Sequence, residues 1–285
     1  MRQHSFRVAA TLTTIVLLAV PAIAQQRNSD IENIGNRDIN RGESRPTTPN
    51  LEDEIALGRN VARELEQGVT LLNDPAVVDY VNRVGQVIVR NSDSKLPFTI
   101  KVIDSAEVNA IGLPGGFLYV TTGLIQTADN EAQLAAMMAH AVAHVAARHA
   151  AEQQGKTTFI NILSVPSTVF PGREAASPQR SSPPVPAMFF SFNRAAEEEA
   201  DWLGLQYAYK AGYDPTAMTA FFQKMATQSR GVPVSTLFAT HPQTEDRIAK
   251  SIENIRTYLP SRQQNVVTTM EFQEIKSRLM ERRPQ

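Results

Sequence analysis

His140 and His144 are four residues apart in a stretch without Gly or Pro, and their type and spacing point directly to chemistry. They lie in Asn130-Glu-Ala-Gln-Leu-Ala-Ala-Met-Met-Ala-His140-Ala-Val-Ala-His144-Val-Ala-Ala-Arg-His149. That Ala-rich composition favours helix, and Asp129 or Asn130 is placed to cap its start. Residues four apart share one helix face, so two imidazoles converge at the spacing a zinc ion needs. The chain has five His, and His4 falls in an apolar N-terminal segment, leaving His140, His144, His149 and His241. A chance pair on an Ala-rich helix remains the plain alternative.

An acidic cluster strengthens the metal reading. Arg194-Ala-Ala-Glu197-Glu-Glu-Ala-Asp201-Trp-Leu-Gly reads as helix, with Glu197 and Asp201 on one face. A catalytic zinc takes three protein ligands and keeps one open position. His140, His144 and Glu197 would supply that set. A ligating His donates its other N–H to a carboxylate, and Asp201 is placed to accept it. Glu198 and Glu199 are assigned to a solvated face. In the HExxH form of this motif the residue after the first His is Glu, the general base; here it is Ala141. Holding zinc needs no Glu at 141. Acid–base catalysis does, and it contributes roughly 10²–10⁴-fold.

The elements that would position these residues follow from periodicity. Leu51 to about Val69 and the segment opened by Asp74-Pro75 carry apolar residues at helical spacing. Pro97 to Ile103 alternates and reads as a strand. Asn109-Ala-Ile-Gly-Leu-Pro114-Gly115-Gly116-Phe117-Leu-Tyr119-Val-Thr121 places a turn before a second strand, Phe117 to Thr121. Gly115, Gly116, Phe117 and Tyr119 are read either as an ordinary hairpin or as an edge strand beside the metal cleft that pairs with an extended peptide. Six Pro and Gly172 between Phe159 and Pro186 break any helix there, and a loop of that length suits a lid. Helices resume over Asn193 to Lys210, after Asp214-Pro215 and after Thr240-His241-Pro242. Thr268-Thr-Met-Glu271 reads as a capping box for a last helix.

Composition bounds the rest. The 285 residues are 42% hydrophobic, enough for a sizeable core. Met1 to Ala24 reads as a secretory signal, with Arg2 and Arg7, an apolar stretch and Ala22-Ile23-Ala24 as the cleavage site; an uncleaved anchor is the alternative. No other run approaches the ~18 apolar residues of a membrane span. Cleavage would leave 26 basic against 29 acidic residues, a net charge of −3, which gives no sign of a nucleic-acid partner. There is no Cys, so no disulfide. An exported, periplasmic protein is expected. Gln25 to about Pro49 is polar and aperiodic and reads as a disordered linker, so the expected organisation is 1–24 signal, 25–50 linker, 51–257 metal-binding domain and 258–285 helical tail.

Taken together, several short pieces resemble a known family. They are Asn109-Ala with Leu-Pro-Gly-Gly and Tyr-Val-Thr, Gly123-Leu124, Asn130-Glu-Ala-Gln-Leu-Ala, His140-x-x-x-His144-Val-x-x-Arg-His149, Arg194-x-x-Glu197-x-Glu-Ala-Asp201-x-x-Gly, Ala211-Gly-Tyr-Asp-Pro, and Thr240-His241-Pro242 with Asp246-Arg247-Ile. In order and spacing they resemble the gluzincins of the HtpX, Oma and BepA type, metallopeptidase family forty-eight, over roughly residues 51 to 257. The resemblance implies an α+β fold, mainly helical, with a small sheet flanking the metal helix. It implies one Zn²⁺ held by His140, His144 and Glu197, Asp201 behind them, and His241 and Arg247 near the metal. It implies a polypeptide substrate. For His241 the alternative is a simple helix-start residue; His149 is read as structural. Two functions stand: a zinc metalloendopeptidase for exposed or misfolded polypeptide, attenuated at Ala141, or a non-catalytic, zinc-holding peptide-binding factor. Oligomeric state is not legible.

Overall fold

The structure, a computed structural model, describes residues 30–40, 50–156, 192–228, 241 and 245–282. The signal segment and the Pro-rich stretch 159–186 lie outside the described residues. Helix α1 (Leu51–Gly68) is capped by Asn50, whose side chain accepts the Asp53 N–H at 2.8 Å. Glu52, Asp53 and Glu54 in its first turn face the positive end of the helix dipole. Helix α2 (Pro75–Arg90) begins with the expected Asp74-Pro75 pair. Then come β1 (Thr99–Ile103), β2 (Ala110–Leu113), β3 (Phe117–Thr121) and a short α3 (Thr122–Thr127). Helix α4 (Glu131–Ala146) carries the His pair and is capped by Asn130. It is followed by α5 (His149–Lys156), α6 (Arg194–Lys210), α7 (Thr216–Gln228), α8 (Glu245–Tyr258) and α9 (Met270–Glu281). The architecture is α+β and mainly helical, as expected.

The sheet order is β1-β3-β2. β3 runs parallel to β1, pairing Thr99 with Phe117 through Ile103 with Thr121, and antiparallel to β2, pairing Ala110 with Val120 through Leu113 with Phe117. β3 is therefore the central strand, and the expectation of an edge strand at Gly115, Gly116, Phe117 and Tyr119 is corrected. Ala110–Leu113, short and interrupted by Gly112, folds back as the edge. Gly115 and Gly116 have φ of 75° and 89°. A Cβ on Gly116 would meet the Pro97 carbonyl oxygen at 2.2 Å, so only glycine lets the turn pack there.

Every residue of α4 is buried. Its Ala-rich surface lets α2, α6, α7 and β2 close in on it. The approaches are near contact. A Cβ on Gly204 of α6 would lie 3.0 Å from the His140 backbone nitrogen and Cα, and one on Gly112 of β2 would lie 2.6 Å from the Ala141 carbonyl oxygen. Glycine at these two points sets the depth at which α6 and β2 meet the metal helix.

The linker expectation fails for residues 30–40. Ile31, Ile34 and Ile39 are buried in the main core. Arg37 pairs with buried Asp93, and its Nη1 donates to Gln206 Oε1 at 2.7 Å. Asn40 Nδ2 donates to the Ala146 carbonyl at 2.9 Å, closing the last turn of α4. Three Ile scattered among polar residues show no period, so pattern alone misses this strap. At the other end, α9 is capped by Thr269, one residue later than expected. Glu271 pairs with Arg83 instead of closing a box. Phe272, Ile275 and Leu279 enter the same core.

Candidate metal centre

Two helices build the site. α4 stacks His140 over His144, and α6 sets Glu197 and Asp201 one turn apart against them. The Nε2 atoms of His140 and His144 are 3.1 Å apart. Glu197 reaches both, Oε2 lying 3.5 Å from His140 Nε2 and Oε1 3.5 Å from His144 Nε2. A tetrahedral zinc with bonds of ~2.0–2.2 Å separates its ligand atoms by about 3.3 Å, so this donor set fits that ion. His241 joins it: its Nδ1 is 2.7 Å from Glu197 Oε1, and donor atoms of His140, His144, Glu197 and His241 all lie within 4.8 Å of one another. All four are buried.

Behind the donors stands a charged layer. His140 Nδ1 faces Asp201 Oδ1 at 3.1 Å. Arg247 of α8 donates Nε to Asp201 Oδ2 and Nη2 to Asp201 Oδ1, each at 2.7 Å, and Nη2 is also 3.0 Å from Glu197 Oε2. His241 and Arg247 thus lie against the His140, His144 and Glu197 cluster. Burial pushes the Glu197 carboxyl up, but the facing His241 and His144 overcome this and hold it far below the usual carboxylate range. Burial holds the His144 imidazole well below its ordinary value. Burial also opposes charge on His140, yet Asp201 and Glu197 raise its pKa.

Position 141 sits at the junction of this layer and the sheet. Ala141 is 3% exposed, and its carbonyl oxygen packs under Gly112 of β2. Among the described residues no strand pairs with the outer edge of β2, so the edge beside the metal helix is Ala110–Leu113. Tyr119 instead points away into the packing with α1 and donates its hydroxyl to Glu66 at 2.6 Å. Glu198 does face outward, paired with Arg194 and Lys250. Glu199 is no more buried, but its Oε2 lies 3.1 Å from His149 Nε2, and His149 Nδ1 lies 2.9 Å from His144 Nδ1. The scarcity of His was the one sequence signal that marked His149. Phe192 stacks on His144, ring centroids 4.2 Å apart at 19°; nothing in its sequence context marked it.

A mainly helical domain with a buried His-His-Glu set on two crossing helices defines a metallopeptidase-type scaffold. The model of Peptidase family M48 matches residues 75–255, and the chain belongs to that family. It is 30% identical over 253 residues to the putative beta-barrel assembly-enhancing protease of Vibrio cholerae, covering 85% of this chain and 50% of that one. It is 31% identical over 220 residues to the beta-barrel assembly-enhancing protease of Escherichia coli strain K12, covering 73% and 45%. It is 33% identical over 189 residues to the mitochondrial metalloendopeptidase OMA1 of Schizosaccharomyces pombe, covering 65% and 53%. The chain thus spans about half the length of the curated relatives it matches. Peptidases of this family are metal-dependent, and the cluster on α4 and α6 could hold a metal ion. Among the described residues no helix is long and apolar enough to cross a membrane.

Proposed function

We propose that this chain is a zinc metalloendopeptidase-type protein of the periplasm that engages exposed or misfolded polypeptide in envelope protein quality control, with hydrolysis strongly attenuated at Ala141. The observation that carries the reading is the buried His140, His144, Glu197 set, with Asp201 and Arg247 behind it. The names of the relatives, protease and metalloendopeptidase, agree with it.

His140, His144 and Glu197 would hold a zinc ion, which would supply Lewis-acid polarisation of a peptide carbonyl and of water. The chain's own residues do the rest. Asp201 lies 3.1 Å from His140 Nδ1, placed to accept its N–H, which would leave Nε2 bare for the metal. Arg247 pairs with both carboxylates in a dry setting. The outer edge of β2, lying on the metal helix, suits an extended peptide added as a further strand. His241 stands beside the donor set, placed to steady charge or fill a fourth position. The methyl group of Ala141 can neither take a proton from water nor return one to a leaving amine. General acid–base catalysis is worth roughly 10²–10⁴-fold, so the scaffold binds far better than it cuts. That same methyl favours a second reading, a non-catalytic peptide-binding or chaperone-like factor that keeps zinc and the groove.

A casein-type cleavage assay with zinc, run beside Ala141→Glu, tests both. The backbone at 141 is fixed between two ligands, so Glu there reaches the site without rebuilding it, and a gain of order 10²-fold, abolished by chelator, is expected. If neither chain cleaves while both hold zinc, the binding reading replaces the enzymatic one. If the Ala141 chain cuts as fast as the Glu variant, attenuation is refuted.

A further inference from the structure

We propose that His149 and Glu199 form a one-way hydrogen-bonded chain that positions His144, the counterpart of Asp201 behind His140. The proposal rests on the metal reading above. With Nε2 of His144 turned to Glu197 and His140, its Nδ1 faces the other way and meets His149 Nδ1 at 2.9 Å. Two ring nitrogens can share only one hydrogen. A His144 whose Nε2 is bare for a metal carries its proton on Nδ1, so His144 donates and His149 Nδ1 accepts. The His149 proton then sits on Nε2, which donates to Glu199 Oε2 at 3.1 Å. A carboxylate only accepts, so the polarity of the whole chain is fixed from its outer end. The His149 side chain is 1% exposed and that of Glu199 is 28% exposed, so the chain runs from the metal site to solvent.

Local backbone is bent to make this contact. A continued α4 would carry residue 149 about 140° round the axis from residue 144. Instead α4 stops at Ala146, and Arg148 takes φ of 56°, the only positive φ at a non-glycine residue among those described. Such a conformation is strained and persists only where the surroundings hold it. Arg148 Nε donates to Glu54 Oε2 at 2.5 Å, and that carboxylate side chain is 1% exposed. The reversal starts α5 at His149 and brings its ring back to 5.0 Å from that of His144. Phe192 stacked on the His144 ring leaves rotation in the ring plane as its main freedom, the motion His149 blocks.

The test is zinc affinity by chelator competition, with the visible spectrum of the Co²⁺-loaded protein as a report on ligand geometry. His149→Phe keeps an aromatic of similar size without an acceptor, and a loss of about 10–100-fold in affinity with an altered Co²⁺ spectrum is expected. His149→Gln returns an acceptor oxygen and is expected within about threefold of the parent. Glu199→Ala, partly exposed and safe for folding, is expected to weaken binding at least threefold, on the order of an outer-shell loss. It decides the matter if His149→Phe does not fold. Unchanged affinity in His149→Phe and Glu199→Ala overturns the proposal, as does equal loss in His149→Phe and His149→Gln, which would mean bulk packing. A parent that holds no zinc, with His140→Ala indistinguishable from it, fails the metal reading itself and takes this proposal with it.

Discussion

Arg247→Ala is the substitution whose cost can be worked furthest. Arg247 is 1% exposed in its side chain, and it faces Asp201 and Glu197, themselves 5% and 2% exposed. Removing it deletes a fork of two 2.7 Å hydrogen bonds to Asp201 and a third contact at 3.0 Å to Glu197. Breaking a buried pair by removing one partner costs about 3–5 kcal/mol, because the remaining charge has no compensation. In a domain of 150–250 residues each kcal/mol moves Tm by ~2–4 °C, so metal-stripped protein should melt about 6–20 °C lower. Zinc compensates Glu197 but leaves Asp201 without its fork, so the zinc-loaded variant should lose less. Arg247→Lys restores a charge without the planar fork and should recover only part of the loss. Circular dichroism melts of stripped and loaded protein read all of this. A metal-stripped Arg247→Ala melting within about 2 °C of the parent, far under the loss expected for a buried pair, would refute the closed, dry site described here.

Gly204→Val forces α6 off α4, since the new Cβ meets the His140 backbone at 3.0 Å. Overpacking of this kind costs about 1–3 kcal/mol, and because Glu197 and Asp201 ride on α6, zinc affinity should fall with Tm. Chelator competition and a melt check both. Asp93→Ala leaves Arg37 buried without its carboxylate and removes the acceptor of the Tyr207 hydroxyl; a loss of about 3–5 kcal/mol in urea unfolding is expected. Asp74 and Asp129 have pKa values lowered from 3.8, chiefly by Arg278 and Lys224. A depressed folded pKa stabilises above the ordinary value and is lost as pH falls through the folded one. Urea midpoints should therefore hold steady from pH 7 to 5 and drop below about pH 4, and Arg278→Ala should shrink the drop.

Residues whose partners lie a helical turn away were legible. His140 with His144 and Glu197 with Asp201 follow from the 3.6-residue period alone, and their types name the chemistry. What pattern could not supply was the order of strands and the direction of side chains set by tertiary contact. Ala110–Leu113 is short and Gly-broken, so pattern leaves a plain hairpin and an edge strand at β3 equally open; the pairing of β3 with both β1 and β2 decides for the hairpin. Glu199 shares a helix with Glu198, and nothing local says that one faces Lys250 and the other His149. The strap at 30–40 was missed because three Ile in a polar run look like noise until the groove that takes them exists.

That strap also bears on the order in which the chain folds. Arg37 joins Asp93, 56 positions on, and Gln206, 169 positions on. Contacts that span so much sequence must wait for the intervening chain to order, and folding slows as their share grows. The Arg37 contact with Gln206 cannot form until α6 is packed, although the contacts of residues 35–37 with Asp93 need no α6. Until the strap docks, Asp93 and the final carbonyls of α4 lack the partners it brings. The helix that carries His140 and His144 acquires its closed end only when the oldest part of the described chain comes home.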